Sequence, residues 1–123
     1  MAAFLAAFNP NGNDLDMGGQ SLYNIDGLWV DVTGTTLTLD DSYNGKCIRF
    51  TNAASIAVTV TGITKGFNCI WKQVGAGVPT FTAGSGQAAE TRGSKNKSAG
   101  QYAVGGVISD VNGKYTLIGD ITA

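Results

Sequence analysis

A chain of 123 residues is sized for one domain with a short extension. Hydrophobic residues make up 43% of it, which excludes full disorder, and only 14% is charged. With a net charge of −1 and no basic stripe, the sequence offers neither the counterion release of nucleic-acid binding nor the polybasic cluster that holds anionic lipid.

In chain order, residues 1–8 form an apolar arm, residues 9–34 a connector rich in Gly, Asn and Asp, and residues 35–123 a domain with β rhythm. The arm lacks a basic start and is too short for a signal peptide or a membrane span. Phe4 and Phe8 are four apart, so one helical turn would place them on a face beside Leu5. Eight residues cannot sustain a helix alone. The arm therefore folds back on the domain or docks on a partner, and Phe4, Leu5 and Phe8 are its candidate docking anchors. The connector carries Met17, Leu22, Tyr23, Ile25, Leu28 and Trp29, too many apolar groups for an exposed linker. They need cover from the domain or from neighbouring copies, and they are the candidate oligomer interface.

From Thr35 onward the hydrophobic period is two. Leu37 and Leu39 share a face, as do Ile56, Val58 and Val60, which is the alternation of half-buried strands. Seven strands are expected over residues 36–39, 46–51, 55–61, 66–74, 79–82, 101–109 and 114–118, rich in β-branched and aromatic residues. Turn chemistry separates them, including Asn44-Gly45 and Asn112-Gly113, dipeptides typical of tight hairpins. Residues 84–100 read as a long polar loop with weak strand character. The expected fold is all-β: an antiparallel β-sandwich or jelly-roll-like domain preceded by an extended N-terminal arm. The expected core is Leu37, Leu39, Ile48, Phe50, Ile56, Val58, Val60, Ile70, Val104, Ile108, Leu117 and Ile118. Trp71 falls on the face opposite Ile70, covering an open end of the sheet or sitting at a subunit contact.

The sequence holds no catalytic constellation. It has no histidine, which removes the usual general acid–base group, the Ser-His-Asp and Cys-His arrangements and most zinc sites. Asp40-Asp41 reads as strand-end and turn chemistry rather than a glycosidase pair. The oxygens of residues 9–16 lack the spacing of a calcium loop, and the glycine clusters lack the ending of a phosphate loop. Asn96-Lys97-Ser98 matches a glycosylation sequon without an export signal. Cys47 and Cys69 are too few for a disulfide scaffold. They are expected as buried free thiols, with a cross-strand bridge as the alternative. No enzyme activity and no cofactor are expected.

Residues 15–25, running through Leu15, Met17, Gly18, Gly19, Leu22, Asn24 and Ile25, resemble a short motif of tail-fibre and related trimeric fibre proteins. Leu22 stands where that motif has Ile, and its following Asp-Pro is missing. Residues 35–121 resemble a β domain of phage fibre, neck and head-decoration proteins. The likeness is carried in order by Leu37-Thr38-Leu39, Asn44-Gly45-Lys46, residues 55–60, Gly66-Phe67-Asn68, residues 73–77, 81–86 and 98–103, and Leu117-Ile118-Gly119-Asp120. The resemblance implies a homotrimeric virion protein, assembled in the host cytoplasm. Its partners would be itself and the major capsid protein or another virion protein, with no nucleic acid and no membrane. At this length a capsid decoration, cement or short head-fibre protein is expected. The competing expectation is a carbohydrate-binding or adhesin module of a tail fibre or neck, with Tyr43, Trp71 and Tyr102 as the aromatics facing a host-surface glycan.

Overall fold

The computed structural model describes residues 29–123. These residues form eleven strands: β1 (Trp29–Val32), β2 (Thr36–Leu39), β3 (Cys47–Phe50), β4 (Ile56–Val60), β5 (Asn68–Gln73), β6 (Pro79–Ala83), β7 (Ala88–Ala89), β8 (Lys97–Ser98), β9 (Val104–Ile108), β10 (Lys114–Gly119) and β11 (Ile121–Thr122). The seven expected strands correspond to β2–β6, β9 and β10. The short β7 and β8 lie in the polar loop. The composition shift at Thr35 falls between β1 and β2, so Trp29–Val32, read from composition as connector, is a strand of the first sheet.

Two sheets result, ordered β1-β3-β5-β9-β10-β7 and β11-β8-β6-β4-β2. The two-layer all-β architecture is the expected one, but the strand directions are mixed. Successive strands from β1 to β6 alternate between the sheets, and within each sheet they pair in parallel. The first half therefore winds as solenoid-like coils. The chain then reverses. β9 pairs antiparallel with both β5 and β10, and β8 antiparallel with both β6 and β11. The difference lies in the turns. Asn44-Gly45 does not close a hairpin; it forms the corner from one sheet to the other, where the Gly45 N–H donates to the Asn68 carbonyl at 2.7 Å. Asn112-Gly113 does lie in a hairpin, joining β9 to β10.

The inner faces of both sheets meet in one apolar core. Phe81 of β6 reaches across the layers to Phe50 of β3, edge to face with centroids 6.3 Å apart, and to Trp71 of β5 at 5.5 Å. Such contacts add to the burial of large rings. Leu39, Ile48, Phe50, Ile56, Val58, Val60 and Leu117 are buried as expected, and Leu37 packs half-buried against them.

Four expected core residues lie outside it. Ile70, Val104, Ile108 and Ile118 are 39–48% exposed, while Trp71 is fully buried. The reason is local. Trp71 pairs with Gly105 on β9, and a Cβ at Gly105 would overlap both the Trp71 ring and the Ile118 carbonyl. The absent side chain is the space that the indole occupies. Once Trp71 points inward, strand alternation turns Ile70 out, and the register carries Val104, Ile108 and Ile118 out with it. Burial of Trp71 also removes it from the aromatics that could meet a glycan.

Gly105→Ala should destabilise the fold by about 1–3 kcal/mol through overpacking, and Trp71→Ala by about 3–5 kcal/mol through the cavity it leaves. Gly34, whose surroundings are open, serves as the control, with Gly34→Ala expected within about 0.5 kcal/mol of the parent. Chemical denaturation checks the order. Equal midpoints for Gly105→Ala and Gly34→Ala would refute the role given to Gly105.

Candidate functional site

The outer face of the six-stranded sheet carries the most distinctive surface. Register aligns Trp29, Cys47, Ile70, Gly106 and Ile118 in one row running across β1, β3, β5, β9 and β10. A second row holds Asp31, Arg49, Lys72 and Val104, and a third Asn68, Ile108 and Thr116. Trp29 is 55% exposed, and with Ile70, Val104, Ile108 and Ile118 it makes the face apolar. Gly106 has no side chain to fill its place in the row. The result is a shallow depression of about 450 Å³, lined on its outer side by Asn68, Ile70, Val104, Ile108 and Ile118. Charge is held to the border, where Arg49 donates to Asp31 at 2.9 Å. Exposed pairs of this kind contribute at most about 1 kcal/mol.

The polar groups elsewhere serve the backbone. Asp40 caps the 3-10 turn Asp41–Tyr43 by accepting from the Ser42 N–H at 3.0 Å. Asp41 accepts from the Thr64 N–H at 3.0 Å and from its hydroxyl at 2.7 Å, tying that corner to the next coil. The two carboxylates thus act in the turn, as their sequence context indicates. Among the described residues, no group of three His, Cys, Asp or Glu side chains converges to hold a metal ion, and no helix is long and apolar enough to cross a membrane.

The two cysteines are free and face opposite ways on adjacent strands, Cys47 outward and half-buried, Cys69 inward and buried. That geometry separates the thiols and disfavours the bridge. Burial pushes the Cys69 thiol up to about 12, opposed by a hydrogen bond with the Val107 backbone and reinforced by the neighbouring Cys47. Burial also raises Tyr115 above its ordinary value.

Of the residues singled out from sequence, Phe4, Leu5, Phe8, Met17, Leu22, Tyr23, Ile25 and Leu28 lie outside the described residues. Trp29 stands at the edge of the apolar row. Tyr43 packs half-buried against the core, and Tyr102 is 65% exposed. These two rings belong to opposite ends of β5. Tyr43 sits at the corner bonded to Asn68, while the Tyr102 N–H donates to the Gln73 carbonyl. The ends are roughly 16 Å apart at the rise of a strand, so no two-ring platform forms. Sequence reasoning missed Ile70, Val104, Ile108 and Ile118 as surface residues. The signal was present in the neighbours: alternation allows only one of Ile70 and Trp71, and one of Leu117 and Ile118, to point inward. The chain matches no protein-family model, no curated protein and no solved structure.

The thiol makes stability depend on pH. The native state holds the Cys69 proton more tightly than the unfolded chain, whose thiol titrates near 9.0. This contribution is complete below pH 9 and is lost as pH rises from there toward about 12. Tyr115 acts in the same direction from above its ordinary 10.0. Unfolding free energy should therefore fall across this alkaline window, and Cys69→Ala should flatten the slope between pH 9 and 10. An unchanged slope in that variant would contradict the assignment.

Proposed function

We propose that this chain is a structural component of a bacteriophage particle, a capsid decoration, cement or short head-fibre protein. It self-associates, most simply as a trimer, and docks on the shell through its N-terminal arm. The observation that carries the reading is the apolar outer face of the six-stranded sheet. Five large apolar side chains stand in water there, on a chain with little surface charge. An exposed contiguous patch of this kind marks an interaction surface. The fibre-like motif of residues 15–25 and the β domain likeness of residues 35–121 point to the same class.

The working principle is assembly. Phe4, Leu5 and Phe8 anchor the arm in apolar pockets of the major capsid protein or another virion protein, since a few buried aromatic anchors dominate docking energy. Many copies on a repeated lattice, with several arms per oligomer, convert weak single contacts into firm attachment. The competing reading, a glycan-binding module, draws less support, because Trp71 is buried and Tyr43 and Tyr102 are far apart.

Removing residues 1–14 tests the anchor. The shortened chain should keep its circular dichroism spectrum and its oligomeric mass, yet fail to bind particles depleted of the protein. Undiminished binding would reject the arm as the anchor. Selective capture on a glycan array, lost in Tyr102→Ala, would favour the carbohydrate reading instead.

A further inference from the structure

We propose that the turn of residues 100–103 presents Tyr102 as a rigid anchor for another virion protein, one whose surface holds an apolar pocket that admits a phenol ring. The inference rests on the assembly reading above and adds a contact that the β domain makes without the arm.

The backbone at Tyr102 is one that glycine normally occupies. The Ala103 N–H donates to the Gly100 carbonyl at 3.1 Å, and Tyr102 has a φ of 70°. These are the features of a type II turn, whose third residue is usually Gly or Asn. The same residue opens a bulge. The Tyr102 N–H donates to the Gln73 carbonyl at 2.6 Å, and the Gln73 N–H donates to the Ala103 carbonyl at 3.0 Å. Two residues of one strand thus oppose one of the other, and the first position of such a bulge also calls for glycine. Elsewhere among the described residues, every positive φ except that of Ser94 falls on glycine. A bulky side chain in this conformation is disfavoured.

Packing does not offset that cost. The Tyr102 ring is 65% exposed, and a Cβ at the neighbouring Gly100 would meet nothing within 4 Å, so the tip of the turn projects. The backbone beneath it is firmly tied. The Ser98 hydroxyl donates to the Gly100 carbonyl at 3.1 Å, and Gln101 Nε2 donates to the Val74 carbonyl at 3.0 Å. Strain held at an exposed position by an over-determined frame points to a function there. A tyrosine on a fixed backbone loses little freedom on binding, and tyrosines are frequent anchors of protein interfaces.

The surroundings select the partner. Sugar binding asks for polar side chains placed around the ring, yet the neighbours in the turn are Gly100, Ala103 and Gln101, whose amide nitrogen is already engaged. Base stacking in nucleic acid works beside cationic side chains, and the turn supplies none. A projecting ring with a lone hydroxyl needs a pocket brought by the other side, apolar along its walls and hydrogen-bonding at its floor. The depression on the six-stranded sheet is shallow and mostly aliphatic, so a second copy offers no such seat there.

The test is nitration of the full chain by tetranitromethane, free and bound to particles depleted of the protein, read by mass spectrometry. Tyr102 should react in the free chain and be protected on the particle, while the buried Tyr115 resists in both. Tyr102→Gly should raise the denaturation midpoint by relieving the strain, yet weaken particle binding roughly tenfold or more. Tyr102→Asn, which tolerates the same φ, should lose binding to the same extent with the fold intact. A midpoint lowered in both variants would show that the ring supports its own domain and would overturn the proposal. A Tyr102 still reactive on the particle, or full binding by both variants, would overturn the anchor and leave attachment through the arm standing. Protection already present in the unbound oligomer would make the contact one between copies, and glycan-array capture lost in both variants would make it a sugar site; either result overturns the assignment to another protein. A wild-type chain that does not bind the particle would overturn this inference together with the reading beneath it.

Discussion

The fit of Trp71 into the space left by Gly105 governs this structure. The two residues face each other across β5 and β9, and the indole occupies the volume that any side chain at position 105 would claim. From there the ring reaches Phe81 on the opposite sheet, which also contacts Phe50. One inward tryptophan thus joins the parallel half of the molecule to its antiparallel return and holds the two layers together. It also fixes the facing of three strands. With Trp71, Val107 and Leu117 inward, Ile70, Val104, Ile108 and Ile118 have no place but the outer face. The interior and the exposed apolar row are two consequences of a single packing decision.

The winding of the chain gives the molecule two unlike ends. At one, the return through β8–β11 leaves β7 and β11 as edges, two residues each. Very short edge strands offer little backbone for unwanted pairing. At the other, β1 and β2 are the edges, and Val30 and Leu37 beneath them are only half-buried. Coils of a solenoid stabilise one another through their neighbours, and among the described residues the first coil has a neighbouring coil on one side only. The connector enters at this end, through Trp29. The first coil and the outer apolar row meet at Trp29, where the described part of the chain begins.

The polar chemistry is consistent with a scaffold. Asp40 and Asp41 hold a corner, Gln73 donates to the carbonyls of Gly75 and Ala76 at the next one, and the Cys69 thiol is buried. The charge that does occur is spread over the surface, in exposed pairs such as Lys114 with Glu90. A surface dominated by threonine, serine and glycine leaves few long charged side chains to order at a contact, which lowers the entropic cost of covering it.

The sequence by itself determined the class of the fold and the position of seven of the eleven described strands, because a period of two with β-branched residues has one physical meaning over runs such as residues 55–61. It also determined the turn role of Asp40 and Asp41 and the inward set of β2, β3 and β4. Direction and facing were decided only in three dimensions. Asn44-Gly45 has the same local conformational preferences in a hairpin and in a corner between sheets, and the coils are too unequal in length to leave a fixed repeat in the sequence. In residues 68–73 both faces carry apolar residues, so alternation alone could not choose between Ile70 and Trp71. The choice belongs to Gly105, more than thirty positions along the chain, whose missing side chain makes room for one ring and thereby exposes the face on which the proposed assembly rests.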